Sequence, residues 1–259
     1  MKFTEVINEC YAIFNYSSFK DIHSRIKSLE DFFGGIEVKN INTRLINKYI
    51  KTLEEANNTP ATINAKLSML NKLLTYCYRT EIIEHKPYIQ YKKLKSSKDC
   101  FISPAEKTEM LTYCLNNSNF DLWQVLLIGF NTGMRIQNIL RFDPAKDVDN
   151  GYIRVWCNKT NKPYSIPLNV TLKENLHKFK KLNINYNQVY YMFNQMKKDL
   201  HLREQITIHT LRHTFCSDLI NKGVPVSVIQ KLANHQNITT TMRYSHLSNE
   251  TLEKAVCLL

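Results

Sequence analysis

His209-Thr210-Leu211-Arg212-His213-Thr214-Phe215 is the stretch on which the reading of this chain turns. If the region opening at His209 is helical, His209, Arg212 and His213 stand at i, i+3 and i+4, share one face and converge on one object. Histidines at i and i+4 are also a metal-ligand spacing, so His209 and His213 with His235 or His246 present a zinc alternative. The glutamate of the zinc-protease helix motif is absent, because Thr210 occupies its place. Working outward, four further residues have distinctive local contexts: Arg135 in Thr132-Gly133-Met134-Arg135, then Lys159, His235 and Tyr244. His209, Arg212 and these four contain no carboxylate, so the object they suit is an anion. A phosphodiester fits best, and the set reads as a metal-free site for breaking and rejoining DNA.

The charge balance agrees. The 259 residues hold 35 Lys and Arg against 23 Asp and Glu, which puts nucleic acid first among partners. Residues 1 to 97 carry 15 basic and 10 acidic side chains and residues 98 to 259 carry 20 and 13, so both halves are basic and both are expected to face phosphates. A hydrophobic fraction of 43% is ample for packed cores in one large domain or two smaller ones. No run of 18 apolar residues and no signal peptide is visible, so neither a membrane nor export is expected. The seven cysteines are odd in number, dispersed and without a Cys-x-x-Cys pair. This argues against a disulfide framework and for a reducing, cytoplasmic home, with the cysteines as small core residues.

The first hundred residues show helical periodicity at Ile22, Ile26 and Leu29, at Leu45, Ile46, Tyr49, Ile50 and Leu53, and at Ile63, Leu67, Leu70 and Leu74. Thr59-Pro60 is an N-cap with proline at the first helical position, opening the longest of these helices, which is expected to reach Arg79. A boundary near residue 98 divides a helical domain, 1–97, from a second domain, 98–259. Residues 91 to 98 are polar and lysine-rich, either a solvated tether or a DNA contact, and Ser103-Pro104-Ala105-Glu106 is a capping box just beyond. In the second domain, Tyr152-Ile153-Arg154-Val155-Trp156 and Tyr164-Ser165-Ile166 flank a polar turn, which is a hairpin signal. Helical spacing resumes at Leu172, Leu176 and Phe179, at Val189, Phe193 and Met196, and from His209 to Ile220. The fold class is mainly α with a small β-hairpin or sheet.

Arginine's planar fork donates in parallel to two phosphate oxygens, so two arginines from separate segments would clamp a phosphorus gaining negative charge. Tyr244 is the candidate nucleophile. A phenol with an ordinary pKa of about 10 is protonated at neutral pH, so neighbouring cations must stabilise the phenolate as it forms; Arg243 stands beside it in sequence.

These segments resemble the tyrosine recombinase, or phage integrase, family. Asn131-Thr132-Gly133-Met134-Arg135 resembles its first arginine box, residues 155 to 168 its lysine-bearing hairpin, and residues 209 to 215 its second box. Leu232-Ala233-Asn234-His235 followed by Thr240-Thr241-Met242-Arg243-Tyr244-Ser245-His246 resembles its last. The resemblance covers roughly residues 100 to 246. It implies that Tyr244 attacks the scissile phosphate, leaving a 3′-phosphotyrosyl bond and a free 5′-hydroxyl, while Arg135 and Arg212 hold the non-bridging oxygens. It also implies Lys159 as the acid for the departing 5′-oxygen, His209 as general base or hydrogen-bond partner, and His235 as a further hydrogen bond to the phosphate. Lys162 stands three residues from Lys159 in the same turn; the family pattern favours Lys159. His213 reads as a supporting histidine. No metal, ATP or other cofactor is implied.

By the same resemblance, residues 1–97 correspond to a helical core-binding domain and 98–259 to the catalytic domain, a two-domain clamp on double-stranded DNA carrying specific core sites. Leu247, Leu252, Val256 and Leu259 form an apolar stripe along the tail, about 247–259, which either folds onto its own domain or, as the resemblance implies, contacts a neighbouring subunit within a homo- or hetero-tetramer on DNA. A nucleoid-associated cytoplasmic location follows from that partner. Two departures stand out: Asn138 where the family usually has an acidic residue, and Ala233-Asn234-His235 in place of the usual Leu-Gly-His. Asn234 still tolerates a positive φ. The function implied is site-specific recombination or integration. The alternatives are DNA relaxation of the type IB topoisomerase kind, a non-catalytic DNA-binding regulator on the same scaffold, and a metal-dependent nuclease.

Overall fold

The computed structural model describes residues 1–13, 19–94, 100–157 and 162–242. It separates into two compact units, Met1–Ser96 and Ser97–Leu259.

The first unit is helical: α1 (Phe3–Ile13), α2 (Phe19–Phe33), α3 (Thr43–Glu55) and α4 (Pro60–Arg79), with a short 3-10 turn at Val38–Asn40. The sequence places α2, α3 and α4 where they stand, and α4 ends at Arg79 as expected. Thr59 Oγ1 accepts from the Thr62 N–H ahead of Pro60, and Asn42 caps α3 by accepting from the Leu45 N–H. The first helix was not anticipated, although Phe3, Val6, Ile7 and Cys10 repeat at helical spacing and are all buried. α4 is the axis of the unit, packing Ile63, Leu67, Leu70, Leu73, Leu74 and Cys77 against the other three helices. Phe33 lies between Phe3 and Tyr49, at ring separations of 5.6 and 5.1 Å, and the Tyr49 hydroxyl keeps a partner in Ser28 Oγ at 2.8 Å. The lysine-rich segment after α4 is in part no tether. Asn64 accepts from the Lys92 N–H and donates to the Lys92 carbonyl, both at 2.8 Å, while Lys92 Nζ pairs with Glu54. Lys95 and Lys98 lie outside the described residues.

In the second unit, α5 (Pro104–Asn116) and α6 (Phe120–Thr132) lead into α7 (Ile136–Arg141), α8 (Pro144–Asp147) and an antiparallel sheet in the order β1 (Val148–Asp149), β2 (Tyr152–Cys157), β3 (Lys162–Pro167). Then come α9 (Val170–Asn175), α10 (Tyr186–Asp199), α11 (Ile208–Asn221), α12 (Val226–Ala233) and α13 (Thr239–Met242). The expected hairpin is β2–β3, with Val155 opposite Tyr164, and β1 adds a short third strand. Ile153, Val155 and Ile166 face the core while Tyr152, Arg154 and Trp156 face solvent, the alternation of a half-covered sheet. The capping box at Ser103 and Glu106 opens α5 as read.

One helical assignment needs correction: Phe179 is not in a helix. The chain tightens to a 3-10 turn at Leu176–Lys178 and leaves Phe179 extended, which turns its ring onto Trp123 at 6.0 Å. Burial, and not helix continuity, explains the spacing of Leu172, Leu176 and Phe179. The cysteine reading also divides. Cys10, Cys77, Cys114 and Cys216 are buried, Cys100 is only partly so, and the side chains of Cys157 and Cys257 lie outside the description.

α6 is buried all round, from Leu122 through Phe130, as expected of a helix apolar on every face. Its one long polar side chain, Gln124, is satisfied at both ends by the Lys180 backbone, at 2.8 and 3.1 Å. α11 crosses it closely because two glycines face it. A Cβ on Gly129 would stand 2.9 Å from Leu211 Cδ1, and one on Gly133 would stand 2.4 Å from Phe215 Cδ1. Both pairs are four residues apart on their own chain segments, so one crossing fixes the register of the two motifs that carry Arg135 and Arg212.

Candidate active site

Arg135 follows the left-handed cap of α6 at Gly133 (φ 62°) and is itself the extended residue that opens α7. Arg212 sits in mid-α11 and is 3% exposed. Its Nη1 donates to the Gly133 carbonyl at 2.7 Å and its Nη2 to the Ala233 carbonyl. Arg135 Nη2 donates to the next carbonyl, that of Asn234, at 3.2 Å. Both arginines are therefore anchored on consecutive backbone oxygens at the C-terminal turn of α12, the negative end of that helix. The turn presents those oxygens because Asn234 is left-handed, φ 49° and ψ 53°, the conformation its side chain was expected to tolerate. A guanidinium has five N–H donors, so anchoring leaves donors for a ligand.

His235 follows directly. Its Nδ1 lies 2.8 Å from Thr241 Oγ1, its N–H donates to the Gln230 carbonyl, and Gln230 Nε2 donates back to the His235 carbonyl. Burial pushes its pKa down to about 4, and the charges of Arg212, Arg135, His213 and His209 push the same way. The His235 imidazole is therefore neutral at pH 7. His209 is exposed at the second position of α11, where the helix dipole is positive. The His209 and His213 rings meet edge to face at 4.7 Å, in keeping with His213 as a supporting group. Burial raises the Cys216 thiol to about 11, so it stays protonated beside the site.

Among the described residues the Asn138 side chain makes no hydrogen bond to the Arg135 guanidinium, although its backbone N–H donates to the Arg135 carbonyl at 2.8 Å. Asn138 Nδ2 lies 3.4 Å from the Tyr164 hydroxyl and so ties α7 to β3. Lys159, Tyr244, Arg243 and the 247–259 tail lie outside the described residues. Among the described residues, no three His, Cys, Asp or Glu side chains gather as a metal site. Also among them, no helix is long and apolar enough to cross a membrane.

The profile of the phage integrase family matches residues 101–251, and that of the phage integrase SAM-like domain matches residues 2–94. The chain belongs to the phage integrase family. A tyrosine recombinase of Pseudothermotoga lettingae is 25% identical over 240 residues, spanning 83% of this chain and 81% of that protein. The integrase of transposon Tn1549, solved with a circular intermediate DNA, superposes over 100% of both chains with a TM-score of 0.84 at 17% identity. A lambda integrase tetramer solved on a Holliday junction superposes over 94% of this chain and 77% of that one, with a TM-score of 0.78 at 16% identity. In this phage integrase family member the backbone geometry supplies what the sequence motifs left unstated. The carbonyls of Gly133, Ala233 and Asn234 seat the arginines, and Thr241 holds the histidine. No residue type announces a carbonyl, but Gly133 inside its motif and the left-handed residue before His235 were both legible signals.

The depressed His235 pKa fixes a sign. The unfolded chain takes up a proton near pH 6.5 while the folded chain resists until about 4, so this contribution to stability is complete above pH 6.5 and is lost as pH falls toward 4. The urea midpoint should therefore fall between pH 7 and pH 5 by more in the wild type than in His235→Gln. The expected difference is on the order of 1–2 kcal/mol after solvent screening. Equal slopes in the two proteins would show that His235 is not held neutral by its surroundings.

Proposed function

We propose that this chain is a site-specific DNA recombinase in which Tyr244 cleaves a strand through a 3′-phosphotyrosyl bond, with no metal or ATP. The observation that carries the reading is the joint seating of Arg135 and Arg212 on the consecutive carbonyls of Asn234 and Ala233, beside a neutral His235. Two fixed guanidinium groups present planar donors to one phosphate. They also stabilise the extra negative charge of its pentacoordinate state without reorganising. His209 is the general base or hydrogen-bond partner, His235 donates to a phosphate oxygen, and Lys159 protonates the departing 5′-oxygen, which leaves as the 5′-hydroxyl. Because the covalent bond conserves the energy of the broken phosphodiester, a 5′-hydroxyl from another strand reverses the step.

DNA is the partner. The solved lambda integrase tetramer on a Holliday junction supports a homo-tetramer for this chain too. The first unit serves as the core-binding domain and residues 98–259 as the catalytic domain. The solvent side of α4 supports that division: Ser68, Asn71, Lys72, Thr75 and Arg79 form one polar and basic stripe along it. Such side chains can meet base edges and phosphates.

The test is an SDS-resistant adduct assay in EDTA with pooled nicked duplexes from the source genome, followed by peptide mapping of the linked residue. The expected result is an adduct on Tyr244, its DNA sequence naming the core site. An adduct on another residue, DNA binding with no adduct, or cleavage only after metal is restored would each overturn the reading.

A further inference from the structure

Resting on that reading of the site, we infer that Thr241 is a positioning residue: its hydroxyl holds His235 in the tautomer that donates from Nε2 to the phosphate. Thr241 is fully buried on α13, three positions before Tyr244, and its Oγ1 lies 2.8 Å from His235 Nδ1. Among the described residues this hydroxyl has no other hydrogen-bond partner, and a buried O–H left without an acceptor is costly. Nδ1 is that acceptor, so the hydroxyl donates and the ring nitrogen accepts.

The consequence follows from the inventory of imidazole. A neutral ring carries one N–H, and a ring whose Nδ1 accepts must carry it on Nε2. Burial of the His235 ring, reinforced by the nearby charges of Arg212 and Arg135 and by His213 and His209, opposes a second proton. The ring therefore cannot supply a donor by becoming imidazolium. It has one hydrogen to offer, and Thr241 decides which nitrogen offers it. In the other tautomer Nε2 would present a lone pair to a phosphoryl oxygen, a repulsive contact where a donor is required. The backbone of the α12 turn fixes the ring's root through the reciprocal bonds between Gln230 and His235, and Thr241 fixes its far side.

The same bond has a second effect. Thr241 belongs to the segment that leads to the nucleophile, whereas His235 belongs to the turn that seats the arginines. The tautomer lock is complete only while residues 239–242 are docked, so readiness of the phosphate-binding side is tied to the placement of the helix that leads toward Tyr244.

Two measurements test this, and the first needs no DNA. In protein labelled with 15N-histidine, with the His235 signal assigned by its loss in His235→Gln, the wild type at pH 7 should show the Nε2–H tautomer. Thr241→Ser should keep it, and Thr241→Val, which matches the shape without the hydroxyl, should show a mixture. A wild-type Nδ1–H signature, or an unchanged signature in Thr241→Val, overturns the inference whatever the chain proves to catalyse. The second uses the duplex recovered in the adduct assay. Thr241→Val should slow single-turnover cleavage on the order of tenfold to a hundredfold, less than the hundredfold to thousandfold for losing a donor outright. Binding should be unchanged, Thr241→Ser should restore the rate, and in a His235→Gln background Thr241→Val should cost little more. A full additional loss in that background, or no rescue by serine, assigns Thr241 a merely structural role and sinks the proposal.

Discussion

Arg212→Lys is expected to lose cleavage by a factor on the order of a hundred to a thousand, and to lose stability, while keeping the charge. The side chain is buried and its two terminal nitrogens are committed to the carbonyls of Gly133 and Ala233. A lysine ammonium is a single point on a flexible stem and cannot span both oxygens while also facing a ligand. Hydrogen bonds from a charged donor contribute about 1.5–3 kcal/mol each, so one orphaned carbonyl alone should lower the denaturant midpoint measurably. DNA binding should change far less, because one phosphate contact is worth only about one unit of salt slope among many. Single-turnover adduct formation, denaturation and salt-dependent gel shifts on one preparation separate the three effects. Cleavage within about threefold of wild type would show that charge alone is required at this position, and the bidentate seat would lose its meaning.

The second large effect is expected at Gly133→Ala, a change of one methyl group remote from any leaving group. Left-handed φ costs an L residue about 1–2 kcal/mol, and overpacking a dense interior adds about 1–3 kcal/mol. Here the new Cβ would start 2.4 Å from the Phe215 ring at φ 62°. A loss of about 2–5 kcal/mol corresponds to roughly 5–15 °C in melting temperature for a domain of this size. Relief by repacking would push α11 away from α6 and shift the Gly133 carbonyl that holds Arg212, so cleavage should fall even at temperatures where the protein stays folded. The contact can be isolated with Phe215→Ala: the double variant should cost clearly less than the sum of the two single changes. Melting of Gly133→Ala within a degree of the wild type would mean the crossing has slack and does not set the arginine register.

Much of this site was legible because its signals are local. His209, Arg212 and His213 needed only helical spacing, and Arg135 and His235 needed only their neighbours in sequence. The fold was legible for the same reason in α3 and α4, where caps and apolar repeats agree. What the sequence could not show is contact between distant segments through atoms common to every residue. The carbonyls of Ala233 and Asn234 hold two arginines 21 and 99 positions away, and nothing in alanine or asparagine advertises that. Asn138 was seen as a missing charge, but its meeting with Tyr164 depends on how α7 lies beside β3. Phe179 misled because burial at helical spacing does not require a continuous helix. Thr241 passed as one threonine among three, since only the fold brings it to His235.

The arginine seat on α12 has a further consequence for how this site can change over time. Its acceptors belong to the main chain, so they survive replacement of the side chains around them. Selection at positions 233 and 234 acts on volume and backbone path: a small residue where Ala233 is 1% exposed, and one at ease left-handed where Asn234 turns. An asparagine can then stand where glycine is customary with the machinery intact. Drift in residue identity and constancy of chemistry are compatible at this turn, whereas the two glycines beneath it at the α6–α11 crossing leave no such latitude.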